Sequence, residues 1–183
     1  APKIIHIRRL NQVVRWAQRH PQALTCDRMQ PTGWLEVHSD AGFRREEEEG
    51  QVPTGRSVRG ANFMRLGTAQ GKEVCHLLDW QCSSIKVVTR STFVSELQAA
   101  ISATDAAIML ALTLHEVLRG PVTPRQGMHL RENGGSEIRT RVCIDAMSVR
   151  SALNADRVEA PAEKSLLCHL LWLREVIDRK VLH

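Results

Sequence analysis

The feature that most restricts how this chain can fold is a change of hydrophobic period near residue 90. Residues 34–43, WLEVHSDAGF, set Leu35, Val37 and Ser39 against Glu36, His38 and Asp40. That two-residue repeat belongs to a strand with one covered face. Residues 57–67 and 73–82 predict two more strands, with a hairpin turn in Gly67–Gly71 between them. Three consecutive strands on short connections predict an antiparallel meander. From Ser91 to Arg119 the spacing becomes helical. Phe93, Leu97, Ala100, Ile101, Ile108, Leu112 and Val117 form its apolar stripe, and Gly120-Pro121 stops it.

Residues 121–137 look loop-like, with room for a short helix. Residues 139–145, RTRVCID, predict a short buried strand, and Ala146 to Asn154 a short helix after it. Pro161 then opens a long helix to about Lys180, with Leu166, Leu167, Leu170, Leu173 and Ile177 as its buried stripe. Val181 and Leu182 are apolar enough to begin another strand. At the other end, residues 4–20 predict an amphipathic helix closed by Pro21, with Leu10, Val13, Val14 and Ala17 on one face. The predicted order is a helix followed by β-β-β-α-β-α-α. It gives an α/β fold, a mixed sheet with helices packed on it.

With 183 residues, 43% of them hydrophobic, the chain can bury a core without a metal or disulfide staple. Its five cysteines, Cys26, Cys75, Cys82, Cys143 and Cys168, are odd in number and form no C-x-x-C pair. That spacing argues against a secreted disulfide framework and against a zinc site, and for reduced thiols in an intracellular compartment. No signal-peptide pattern opens the chain. No apolar run approaches the ~20 residues of a membrane span, so no membrane partner is expected. A net charge of +5 is compatible with a polyanionic partner. Four Trp, three Phe and no Tyr argue against a stacking platform for single strands.

Three carboxylates stand where the backbone fixes their direction. Asp40 lies within the first strand, Glu96 one turn into the long helix, and Asp145 at the end of the buried strand. Carboxylates brought together raise one another's pKa unless a cation sits among them. Hard divalent cations such as Mg²⁺ are held by few carboxylates while keeping water and phosphate oxygens as further ligands. Two such ions can activate water and stabilise the leaving oxygen of a phosphodiester. Spacing alone does not bring the three acids together.

Other polar residues have plainer roles. Ser91 and Thr92 are expected to cap the long helix. His115, Cys168 and His169 are expected to pack within helices. His38 is expected on an exposed strand, with assistance to Asp40 as the alternative. Ser148 and Arg150 can cap the short helix or meet a phosphate at its N-terminus. Arg44, Arg45, Arg56, Arg59 and Arg65 can line a polyanion track or form a salt-bridged face. The glutamates at 46–49 belong to a solvated turn.

Three segments resemble a known family. His38-Ser39-Asp40-Ala41-Gly42-Phe43 is similar to the first-strand motif of the ribonuclease H domain in copia-type retrotransposon polyproteins. Thr89-Arg90-Ser91-Thr92-Phe93-Val94-Ser95-Glu96-Leu97 is similar to that family's Arg-Ser-Ser/Thr stretch, with its Glu early in the first long helix. Cys143-Ile144-Asp145-Ala146-Met147-Ser148 is similar to the strand-end motif carrying the next Asp. The resemblance covers residues 34–183. Residues 1–33 resemble the helix and linker that follow a polymerase region.

The resemblance implies a ribonuclease H-like fold, a three-strand antiparallel meander plus a parallel strand. It implies cleavage of the RNA strand of RNA/DNA hybrids during reverse transcription. Asp40, Glu96 and Asp145 would be the catalytic and metal-binding residues, with Mg²⁺ as cofactor and Mn²⁺ as a substitute. The implied partners are an RNA/DNA hybrid and the reverse transcriptase domain of the same polyprotein, in the cytoplasm or a virus-like particle. The family also carries a fourth acidic residue beyond a last strand, near the start of a final helix, and the chain reaches His183 before either. With Ala1 in place of an initiator Met, the expectation is a C-terminally truncated piece of a longer protein. A non-catalytic remnant of the same fold, structural or nucleic-acid-binding, is the alternative.

Overall fold

Strands β1 (Gly33–Phe43), β2 (Ser57–Ala69) and β3 (Lys72–Ser84) form the expected antiparallel meander in the computed structural model, and β4 (Arg139–Ile144) joins β1 in parallel. Residues 4–20, 26, 28–31, 33–43, 57–86, 89, 91–156 and 164–183 are described. The sheet order is β3-β2-β1-β4. Among the described residues, five helices accompany it: α1 (Ile4–Arg19), α2 (Thr92–Arg119), α3 (Pro124–Asn133), α4 (Met147–Asn154) and α5 (Lys164–Asp178). This is an α/β fold with the mixed topology expected of a ribonuclease H-like domain.

The alternation seen in the sequence of β1 is the alternation of burial. Leu35 and Val37 are fully buried and Ser39 nearly so, while His38 and Asp40 are exposed. On β2 the inward positions are Ala61 and Phe63. The β2–β3 hairpin turns on Gln70 and Gly71, both at positive φ, the handedness that matches strand twist. Phe63 pairs with Asp79 and Met64 with Leu77, so β3 carries a bulge at Leu78.

Helix α2 packs on the inner face of the sheet. Ala103, Ala107 and Ala111 meet Leu35, Val37, Ala61, Phe63 and Ile138, small residues that let the helix approach closely. Leu110, Leu114 and Leu118 extend this contact, which turns Val117 outward and leaves it 76% exposed, against the expected stripe. On another side, Leu97 and Ala100 of α2 join Val149 of α4 and Leu166, Leu170 and Leu173 of α5. The α5 stripe continues through Val176 rather than Ile177, because Val176 reaches Ile108 and Leu182. By length and composition α2 is apolar enough to cross a membrane, contrary to the sequence expectation. It is a core helix, packed against sheet and helices at once.

Two further differences concern the ends. Val181 and Leu182 form no strand: Leu182 is buried against Ile108 and Val176, and the His183 N–H donates to the Thr140 carbonyl on the outer edge of β4 (2.8 Å). The apolar face of α1 is not covered within the described residues, and Leu10 and Val13 are each 62% exposed. Residues 121–137 do contain a helix, α3, opened by a capping box between Thr123 and Gln126.

Candidate metal centre

Asp40 lies on the outer face of β1, opposite Gly60 of β2. Asp145 directly follows the last residue of β4. The parallel pairing matches Ser39 with Ile144, so Asp40 within β1 and Asp145 just past β4 stand at the same level on adjacent strands. Glu96 comes from α2, whose N-terminus is pinned at that end of the sheet.

The pinning is polar. Ser91 caps α2 by accepting the Val94 N–H (3.3 Å). Three buried hydroxyls then close a triangle: Ser57 of β2 with Thr89 (2.6 Å), Ser57 with Ser95 (2.9 Å), and Ser95 with Thr89 (2.9 Å). Each hydroxyl is satisfied inside the core, as buried polar groups must be. Ser95 therefore points inward, and Leu97 is fully buried. Glu96, held between them, is turned toward Asp40 and Asp145.

One carboxylate oxygen from each of Asp40, Glu96 and Asp145 lies within 4.8 Å of the other two. The three sequence-predicted acids thus meet. Burial pushes the Glu96 carboxyl above its ordinary value, and the charges of Asp40 and Asp145 push it further. The Ala41 N–H beside it pulls the other way. Three anionic oxygens at this spacing, two of the acids exposed and one half-buried, fit a hard divalent cation that keeps part of its water shell.

The other predicted residues fall elsewhere. Arg59 and Arg65 are engaged in hydrogen bonds to neutral groups. They point to the helix side, where Arg59 donates to Ser83 and Ser102, and Arg65 to the carbonyls of Gln30 and Pro31. Arg44, Arg45, Arg56 and the glutamates at 46–49 lie outside the described residues. The N-cap of α4 is Ala146, without a side-chain bond, so Ser148 does not cap it; Ser148 and Arg150 are exposed beyond Asp145. His115 accepts the Glu137 N–H at Nδ1 (3.2 Å). Cys168 is exposed and His169 half-buried on α5.

A second group adjoins the acids and was missed in the sequence. His38 sits opposite Cys143, and Glu36 opposite Arg141, in the parallel register. His38 Nε2 lies 2.7 Å from Glu36 Oε1, and Arg141 forks onto Glu36 Oε2. The His38 hydrogen bond, with Arg141 beside it, holds the Glu36 carboxyl below its ordinary value despite burial. Burial and the Glu36 charge push the Cys143 thiol up, and Arg141 partly offsets them. The two-residue repeat of β1 signalled that Glu36, His38 and Asp40 share a face; nothing local signalled that Cys143 would lie across from His38.

The chain has no match among protein-family models, curated proteins or solved structures.

Proposed function

We propose that this chain is a ribonuclease H-like domain of a retroelement polyprotein, which hydrolyses the RNA strand of RNA/DNA hybrids with Mg²⁺. The observation that carries the reading is the convergence of Asp40, Glu96 and Asp145 beside the carboxyl end of β4. It supports the reading because the three come from three distant segments and meet in the topology that the motif resemblance implies. Asp40 and Asp145, both exposed, face a substrate; Glu96 anchors the cluster from the half-buried side. Asp40, Glu96 and Asp145 would hold Mg²⁺, which would supply an activated water and neutralise charge at the phosphodiester. Mn²⁺ fits the same oxygen donors.

The surface around the acids suits a duplex. A groove on the outer face runs past Asp40 and Asp145 and is lined by Gly60, Asn62 and Trp80. Gly60 lets a backbone approach, and Asn62 offers polar groups for 2′-hydroxyls, which distinguish an RNA strand from DNA. The +5 charge of the chain adds general, salt-dependent attraction to phosphates.

The first test is Mg²⁺ titration followed by NMR. Joint, saturable shifts at Asp40, Glu96 and Asp145 are expected. The second is cleavage of a labelled RNA/DNA hybrid, with RNA and DNA duplexes as controls. Mg²⁺-dependent cutting of the RNA strand is expected, with Asp40→Asn at background and its fold unchanged by circular dichroism. Unchanged cutting by that variant removes Asp40 from the site. Absence of both metal binding and cutting in the folded chain favours the non-catalytic module.

A further inference from the structure

We propose that Glu36, His38 and Cys143 form a second metal site, one for a borderline-soft transition ion such as Zn²⁺, on the outer face of the sheet. This group is distinct from the three acids and needs no nuclease activity to bind a metal.

The geometry comes from two strands. Glu36 and His38 are two residues apart on β1 and so share a face; His38 and Cys143 are register partners across the parallel β1–β4 pair. One ligand atom from each, a carboxylate oxygen, an imidazole nitrogen and the sulfur, lies within 4.8 Å of the other two. Tetrahedral zinc with bonds of about 2.0–2.3 Å needs ligand atoms roughly 3.3–3.8 Å apart. The Glu36–His38 pair, now at 2.7 Å, must open by about 0.6 Å, and the pairs to Cys143, within 4.8 Å, must close by at most about 1 Å.

The donor chemistry separates this group from its neighbour. Asp40, Glu96 and Asp145 offer oxygen alone, the preference of Mg²⁺. Glu36, His38 and Cys143 offer oxygen, nitrogen and sulfur, a set that selects zinc and its relatives. A carboxylate and a thiolate balance a divalent charge, the bound thiol having given its proton to solvent. Binding also replaces the hydrogen bond between His38 Nε2 and Glu36 Oε1. Arg141 holds the other Glu36 oxygen, Oε2, and so orients the carboxylate from outside the ligand set. The His38 side chain is 49% exposed, which leaves the fourth corner of a tetrahedron open to water.

Cobalt reports on the site, because a thiolate–Co²⁺ bond gives a near-ultraviolet charge-transfer band that carboxylates cannot. Titration of the full chain is expected to give this band at one equivalent. Zn²⁺ should abolish it, and excess Mg²⁺ should leave it. Cys143→Ser should remove the band, Asp40→Asn should keep it, and Arg141→Gln should weaken binding about tenfold or more. A band that survives in Cys143→Ser, or none in the wild-type chain, overturns the proposal. Cys26, Cys75, Cys82 and Cys168 are exposed free thiols, so an independent measurement is made on the wild-type chain. Zn²⁺ should protect Cys143 from alkylation more strongly than Cys82, as mapped by mass spectrometry. Equal labelling of the two with and without Zn²⁺ overturns the proposal even if the serine variant fails to fold.

Discussion

Replacing Glu96 with Gln should stabilise the protein at neutral pH without metal. The three acids hold their oxygens within 4.8 Å of one another, and two of the acids are exposed, so a water-like dielectric applies. Coulomb's law then gives about 0.9 kcal/mol of repulsion per charged pair at that distance. Glu96 takes part in two such pairs, so removing its charge relieves about 1–2 kcal/mol, and relief of its burial acts in the same direction. Gln keeps an oxygen to accept from the Ala41 N–H, so that contact survives.

The pH dependence has a definite sign. The folded chain holds the Glu96 proton more tightly than the unfolded chain does. Wild-type stability therefore falls as pH rises from the ordinary value of 4.5 through the folded one. The advantage of Glu96→Gln should be complete at pH 7 and vanish well below pH 4.5. Thermal unfolding at low salt should show a gain of about 2–8 °C at pH 7 for a chain of this size. Salt should shrink it. Mg²⁺ should stabilise the wild type and do less for the variant. A variant that gains nothing at pH 7, or gains as much in acid, refutes the shared field.

Glu36 should behave in the opposite way. Its carboxyl is held low by His38 and Arg141, so its stabilising contribution is present above pH 4.5 and lost on acidification. Glu36→Gln should lower stability at pH 7, with the deficit closing in acid, as read by urea unfolding across pH. Ser95→Ala opens the buried hydroxyl triangle with Ser57 and Thr89 and should cost about 1–3 kcal/mol in urea unfolding. In the same variant Glu96 loses its fixed direction, so Mg²⁺ affinity measured by titration should fall as well.

What could be seen beforehand follows from where burial is one-sided. β1 buries every second residue, so its alternation was legible, and with it the outward placement of Asp40. β3 was found despite being exposed along nearly all its length, because turn residues bounded it. Helix α3 buries only Gly127 and so lacks an apolar stripe; its local mark in the sequence is the Thr123-Pro124-Arg125-Gln126 start. The phase of α2 was blurred because its inner face is made of alanines, which carry little hydrophobic signal beside Val117. Convergence of the acids was not legible from spacing at all. It depends on the β1–β4 register and on the hydroxyl triangle, both set by contacts distant in sequence.

The parallel pairing of β1 with β4 also makes the acidic cluster a clock for folding. Glu36 and Arg141, which meet across that pair, are 105 residues apart in the chain. Closing so long a loop is slow relative to zipping a hairpin such as β2–β3, whose strands are joined by two residues. Asp145 reaches Asp40 only through the β1–β4 pairing, so the time course of cation binding at the cluster would report when β4 docks on β1.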